Sequence, residues 1–288
     1  MSEIDRRGFI KKSVMGAAVC SAFPAIQGCA TLFGGPDLAF IHITDSHYDS
    51  GKAKTGEWLR MFVKKVNSDF SGIDFVLFGG DNFNNNAPGK QDADEFRKII
   101  SDLKCPYYLV RGNKESSPAP KGDPLNQKEF AEMFFPGKLS VSGRDWKLTK
   151  GKNVVLGIDT TLDYHGNGIF RKESLDFVES ELKNNPDKNY IILNHQVYSN
   201  FWHGKTEKDI HKYVLNNVDE VKKRLFKYPN LKLTLSGHKH LDNVRKIDTV
   251  TVISTVGFVV PQSTEDDHRF RYITMRDGRI SDRLVSII

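Results

Sequence analysis

Five short polar clusters in this chain each follow an apolar run. They are Thr44-Asp45-Ser46-His47, Gly79-Gly80-Asp81-Asn82, Arg111-Gly112-Asn113-Lys114-Glu115, Asn194-His195 and Gly237-His238-Lys239-His240. Asp, Asn and Ser in such places ordinarily cap helices or open turns. Caps do not account for the imidazoles of His47, His195, His238 and His240. Carboxylate, amide and imidazole donors without a thiolate suit a divalent ion such as Mn, Fe, Zn, Co or Ni. In the last cluster an apolar stretch runs into Gly237, and His238 and His240, two apart, face one way if the backbone stays extended.

The surrounding pattern explains how such clusters would meet. Leu38 to Thr44, Phe75 to Phe78, Tyr107 to Val110, Val154 to Ile158, Tyr190 to Leu193 and Leu231 to Leu235 read as strands. Between them lie helical patterns: one with Trp58, Met61, Phe62 and Val66 on one face, and one with Phe96, Ile99, Ile100 and Leu103 at i, i+3, i+4, i+7. Further helices are expected near Phe130, from Leu175 to Leu182 and from Ile210 to Leu225. Alternating strand and helix implies parallel pairing, which gathers the C-terminal strand ends, and with them all five clusters, at one edge. After His240 the pattern changes to strands without helices at Val244 to Ile247, Val250 to Ser254, Phe270 to Met275 and Arg279 to Ile288. Arg276-Asp277-Gly278 marks a hairpin turn between the last two. These strands predict a second, mostly antiparallel sheet packed on the first, with helices outside.

With 288 residues, 39% of them hydrophobic, the chain is long enough for a large core in one big domain or two small ones. Its formal net charge of +6 falls to +4 without residues 1–28, where Arg6, Arg7, Lys11 and Lys12 outnumber Glu3 and Asp5 by two. A modest positive excess suits a phosphate-bearing substrate. No basic block with interleaved aromatics suggests a nucleic-acid face, so nucleic acid is not an expected partner.

Residues 1–36 are set apart as an export signal and linker, leaving 37–288 as the folded domain. Arg6-Arg7 precedes Phe9, and the apolar, small-residue run from Ser13 to Phe23 is too short to span a bilayer as a mature helix. This resembles a twin-arginine export signal. Ile26-Gln27-Gly28-Cys29 resembles a lipoprotein cleavage box with Cys29 as the acylated residue, although Gln27 is a poor fit. Cleavage elsewhere would leave a soluble periplasmic product. Cys20 and Cys29 fall in this region, so Cys105 stands alone and no structural disulfide is expected.

Taken in order, Asp45-x-His47, Gly80-Asp81, Gly112-Asn113, Asn194-His195 and Gly237-His238-x-His240 resemble the signature of the calcineurin-like metallophosphoesterases. The resemblance implies a four-layer α/β/β/α sandwich with two mixed sheets and a dinuclear metal site at the strand C-terminal edge. It implies that Asp45, His47 and His240 bind one ion, that Asn113, His195 and His238 bind the other, and that Asp81 bridges both. Phosphoester hydrolysis needs an activated water and neutralised phosphoryl oxygens, and two divalent ions about 3.5 to 4 Å apart supply both.

Three departures narrow this reading. Lys114 stands where many members have a histidine thought to contact phosphate and protonate the leaving group. A lysine offers charge and hydrogen bonds but, with an ordinary pKa of about 10.4, is a poor acid at neutral pH. Glu115 is expected either to hold Lys114 or to be a plain salt-bridge partner. Asn84 occupies the place of the metal-binding tyrosine of purple acid phosphatases, and Asp81-Asn82-Phe83-Asn84 lacks the serine/threonine phosphatase block. Phe201 and Trp202, soon after His195, are candidates for a pocket wall, and His203 and His165 are candidates for a replacement acid. The alternative to an exported phosphoesterase is a catalytically weakened metal- or phosphate-binding lipoprotein of the same fold.

Overall fold

The structure is a computed structural model that describes residues 35–116, 123–135, 140–141, 143–259 and 268–288. The stretch expected to be an export signal and Cys29, the candidate for lipidation, therefore lie outside the described residues. Residues Pro36–Ile288 form one unit built on two sheets.

The first sheet starts from β1 (Leu38–Ile43), a six-residue run buried along its whole length. A strand buried on both faces reads as continuous apolar sequence, and here it lies mid-sheet. It pairs in parallel with β2 (Phe75–Phe78), and β2 pairs in parallel with β3 (Tyr107–Leu109). Two helices cross between them: α1 (Ala53–Asp69) and α2 (Gln91–Ile100). On α1 the buried positions are Leu59, Phe62, Val63 and Val66, one helical stripe, with Thr55 and Gly56 buried in its first turn. Met61, expected on that stripe, is 43% exposed, and Trp58 is only half-buried. The stripe lies one step round from the sequence reading because Leu59 and Val63, absent from it, fill the core. Phe62 packs edge-on against Phe78 at 6.2 Å and Phe270 at 5.2 Å, and complete burial of such a ring contributes roughly 2 kcal/mol.

After β3 come α3 (Asn113–Ser116), α4 (Gln127–Phe134) and the short strand β4 (Ser140–Val141). Asn126 and Glu129 form a reciprocal capping box at the start of α4. The second sheet continues with β5 (Asp145–Lys150), β6 (Asn153–Gly157), β7 (Asn189–Leu193), β8 (Leu231–Ser236), β9 (Asn243–Ile247) and β10 (Val250–Ser254). Its helices are α5 (Lys172–Asn184), α6 (Glu207–Tyr213) and α7 (Val218–Leu225). The chain ends in β11 (Arg269–Arg276) and β12 (Arg279–Ser286). The strand orders are β12-β11-β1-β2-β3 and β4-β5-β6-β7-β8-β10-β9.

The four strands after His240 do not make a sheet of their own. β10 adds in parallel to β8, whereas β11 crosses back to pair antiparallel with β1, Leu38 opposite Met275. The parallel strands are thereby divided between two mixed sheets. Alternation along β7 places them: Ile191 and Leu193 join the core shared with the first sheet, while Tyr190 and Ile192 face the helical side with Leu175, Val178, Val221 and Leu225. The order of layers is α/β/β/α.

The helix expected from Ile210 to Leu225 is broken. Val214 is extended, and Leu215 N bonds Val197 O at 3.1 Å, so this stretch lies along the chain that leaves β7. The interruption ends α6 at Tyr213. Among the described residues no helix is long and apolar enough to cross a membrane.

Candidate metal centre

The five clusters do meet at one edge, and backbone hydrogen bonds lace the loops that carry them. Asp45 N bonds Gly80 O at 3.0 Å and His47 N bonds Asp81 O at 2.9 Å, so the exits of β1 and β2 stay paired past the sheet. Gly237 N bonds His195 O at 3.0 Å, and Phe258 N bonds Thr44 O at 3.0 Å, which ties the second sheet to the first. Arg111, leaving β3, is buried and paired with Asp159 just past β6 at 3.0 Å. Each such bond contributes about 1 kcal/mol, and together they fix the loops in register.

Asp45, His47, Asp81, His238 and His240 have φ between 42° and 62°. The left-handed region costs a residue with a side chain on the order of 1 kcal/mol or more, and such strain concentrates at functional sites. His238 and His240 are therefore not in extended chain; their rings are aimed by left-handed turns after β8 ends at Ser236. Close approach also needs glycine: a methyl on Gly112 would overlap Asp81, and one on Gly237 would overlap Thr44 and the Asp45 carboxylate.

Two groups of donor atoms result, and Asp81 belongs to both. Atoms of Asp45, His47, Asp81 and His240 lie within 4.8 Å of one another, as do those of Asp81, His195 and His238. Asp81 Oδ2 is 3.7 Å from His47 Nε2, while its Oδ1 is 3.3 Å from His195 Nε2. Asn113 Oδ1 lies 3.2 Å from His195 Nε2 and completes the second group. In the first group, Nε2 of His47 and Nε2 of His240 stand 3.2 Å apart.

The far side of each ring fixes which nitrogen is available. His47 Nδ1 donates to Asn84 Oδ1 at 2.8 Å and His195 Nδ1 to Gly79 O at 2.8 Å, leaving Nε2 free in both. His238 is turned round: Nε2 donates to Lys212 O at 2.7 Å, so Nδ1 is its free nitrogen. Orientation of a ligand histidine by an outer hydrogen bond is the usual arrangement at metal centres. The Asp45 Oδ2 atom accepts from Thr44 Oγ1 at 2.8 Å and from His238 N at 2.9 Å. Its Oδ1 is buried without a hydrogen bond, although His240 Nε2 lies 3.0 Å away. A buried carboxylate oxygen aimed among imidazole nitrogens, with no donor of its own, fits a cation.

Electrostatics agree. Burial opposes the charged form of Asp81, yet His195, His47 and His238 hold its carboxyl well below the usual range. Burial likewise opposes ionisation of Asp45, but His240 and His195 lower it to about 2. Burial disfavours an imidazolium at His195, but Asp81 and Asp45 outweigh this and raise it to about 10. Burial and the neighbouring His195 lower His238 to about 4. The centre therefore stabilises positive charge between two carboxylates, and a proton on His195 competes with a metal ion for that place.

The other expectations divide. Lys114 adjoins the centre, its backbone N bonding Asp81 Oδ1 at 2.8 Å, and its side chain is half-buried. Among the described residues its ammonium makes no ion pair. Glu115 does not hold it: the carboxylate is buried and accepts from Asn82 N at 2.6 Å and Gly112 N at 2.8 Å, bracing the exits of β2 and β3. Burial and the nearby Asp81 raise Glu115 to about 7. His165 and His203 are exposed and, among the described residues, touch none of the candidate ligands. Asn84 has a role that reading it as a missing tyrosine did not reveal, because it fixes His47 and in turn bonds Asp49 at 3.3 Å. Lys212 was not legible at all, since it contributes a main-chain oxygen.

Residues 38–242 match the sequence model of the calcineurin-like phosphoesterase family. Solved structures that share the fold include a dimetal phosphatase from Danio rerio, 11% identical over 88% of this chain and 98% of that one, with a TM-score of 0.69. Purple acid phosphatase PPD1 from yellow lupin (Lupinus luteus) seeds is 17% identical over 88% of this chain and 52% of its own, with a TM-score of 0.61. GAP50, the anchor in the inner membrane complex of Plasmodium, is 15% identical over 87% and 84%, with a TM-score of 0.53. No curated protein matches the chain significantly. With a family match across most of the chain and grouped donors for divalent metal at the strand ends, the protein belongs to the calcineurin-like phosphoesterases and is a metal-dependent phosphoric ester hydrolase.

Proposed function

We propose that this chain is an exported dinuclear phosphoesterase acting on small phosphate mono- or diesters, with preference for esters whose leaving group is already a stable anion. The observation that carries the two-ion reading is the position of Asp81, with one carboxylate oxygen toward each donor group. Asp45, His47 and His240 would hold one ion, Asn113, His195 and His238 the other, and Asp81 both. When bound, the ions supply charge to the phosphoryl oxygens and lower the pKa of the attacking water. The chain's own contribution is orientation. Asn84, Gly79 and Lys212 fix three rings, and Thr44 fixes Asp45. Lys114 supplies charge and hydrogen bonds to phosphate where an imidazole would also supply a proton.

The preference for good leaving groups rests on Lys114. General acid catalysis contributes about 10² to 10⁴-fold, so its absence makes the rate steeply dependent on leaving-group pKa. The test is kcat/KM over phosphoesters of graded leaving-group pKa, for the wild type and for Lys114→His. A steep slope flattened by histidine is expected; a shallow wild-type slope would mean that another group supplies the proton. Full metal loading without hydrolysis of any ester would instead favour a metal- or phosphate-binding lipoprotein.

Export through the twin-arginine machinery and attachment through lipidated Cys29 are part of the same proposal, supported by Arg6-Arg7 and by the Ile26–Cys29 stretch. Exchange of Arg6 and Arg7 for lysine should retain the protein in the cytoplasm on fractionation. Unchanged periplasmic or membrane-associated protein would remove this route.

A further inference from the structure

Between the ligand candidates His238 and His240 stands Lys239, half-buried, and among the described residues its ammonium has no carboxylate partner. Its Nζ lies instead 4.0 Å from the Tyr213 ring centroid and 4.7 Å from that of Trp202. Tyr213 ends α6, and its ring is 5.2 Å from His238. Trp202 meets Tyr213 edge-on at 5.4 Å and Phe201 at 5.4 Å, and its indole Nε1 donates to Asp209 Oδ2 at 3.1 Å. The loop is closed on itself by Asn200, whose Oδ1 accepts from Gly204 N at 2.6 Å. One ammonium therefore joins three elements: the turn that carries two ligand candidates, the end of α6 and the aromatic loop after β7.

We propose that Lys239 is a positioning residue for substrate specificity. It holds Trp202 and Tyr213 as a wall beside the His195, Asn113 and His238 position, so that a flat apolar leaving group stacks there. This rests on the phosphoesterase reading and adds the class of ester that the site prefers. Cation–π attraction at a partly desolvated site is strong enough to order a short loop, and two rings share one cation here. Lysine suits the role because its long stem crosses from the turn while its compact charge lies between the two faces.

The test compares wild type, Lys239→Met and Lys239→Arg at equal metal content, with two substrates whose leaving groups are both good but differ in shape: 4-methylumbelliferyl phosphate and acetyl phosphate. Loss of the two cation–π contacts should raise KM for the flat ester about tenfold. It should change kcat, and KM for acetyl phosphate, by less than about twofold. Arginine, which also stacks on aromatic faces, should restore most of the difference. The second readout is acrylamide quenching of Trp202, isolated by comparison with Trp202→Phe because the chain has three tryptophans. Quenching should rise in Lys239→Met. Unchanged KM and quenching would overturn the proposal, and so would equal losses on both substrates accompanied by loss of metal, which would make Lys239 a support for the ligands alone. If the metal-loaded wild type hydrolyses neither substrate, the proposed preference for good leaving groups fails with the stacking claim, and quenching still reports separately whether Lys239 holds the loop.

Discussion

Asp81→Asn is the substitution with the most defined consequence, because the two carboxylate oxygens have different surroundings. Oδ1 accepts from Lys114 N at 2.8 Å and faces His195, whereas Oδ2 faces His47. Asparagine is nearly the same shape and has one acceptor oxygen. The Lys114 amide is a donor, so that oxygen will take the Oδ1 position and leave the amide NH₂ toward His47. An NH₂ group cannot ligate, so the group of Asp45, His47 and His240 loses a donor while that of Asn113, His195 and His238 keeps an oxygen in place of a carboxylate. Metal content should fall from two ions to about one per chain. Without one ion the transition state loses on the order of 4 kcal/mol, about 10³-fold in kcat. In the metal-free protein His195 loses the main partner that raises it to about 10 and reverts toward neutral. Part of the stability that this pairing contributes at neutral pH is lost with it, while the share from Asp45 remains. The assays are metal analysis by mass spectrometry, kcat on one phosphoester, and thermal unfolding after chelation. Two ions per chain with near-wild-type kcat would refute the bridging role, whatever the stability shows.

Asn84→Leu should weaken metal binding by about 10- to 100-fold, since it removes the acceptor that orients His47; a competition titration with a chelator measures it, and unchanged affinity would deny the outer hydrogen bond its role. Metal binding at pH 7 should release about one proton, because His195 is held protonated up to about 10 and must give up its Nε2 proton to bind an ion. Affinity should rise with pH below that value, and calorimetry in buffers of different ionisation enthalpy reads the release. The same raised pKa makes the metal-free protein lose this stability as pH rises from the ordinary histidine value of about 6.5 through about 10. The lowered pKa of Asp45 acts in the opposite sense and is lost as pH falls from the ordinary carboxyl value toward about 2. Thermal unfolding of the chelated protein that does not weaken on the alkaline side would contradict the His195 assignment.

Much of the centre was legible because strand ends are. Each of the five clusters follows an apolar run short enough to be a strand and long enough to fix its direction, so the meeting point followed from parallel pairing. What failed was what local pattern does not encode. The division of strands between two sheets depends on β11 returning to β1 across most of the chain, and no local signal marks that pairing. β5 carries apolar side chains only at Trp146 and Leu148, an alternation too short to mark a strand by itself. The break after Tyr213 came from tertiary pairing of Val214 and Leu215 with Val197, which overrode a helical pattern. Residue types revealed the candidate ligands but not their supports. Asn84 could be found only from its distance to His47, and the Lys212 carbonyl carries no side-chain signature. The left-handed backbone at His238 and His240 likewise shows that the extended chain assumed for their two-residue spacing is not what brings the two rings to this edge.

The central claim is that this chain hydrolyses phosphoesters only with two divalent ions held by these residues. The direct measurement is titration of the chelated full-length protein with Mn, Fe, Zn, Co or Ni, following bound metal and hydrolysis of an aryl phosphate in the same samples. The account predicts that activity is absent without metal, rises with occupancy and reaches its maximum near two ions per chain. Activity that is full in the chelated protein, or that saturates at one ion per chain or below, would contradict it.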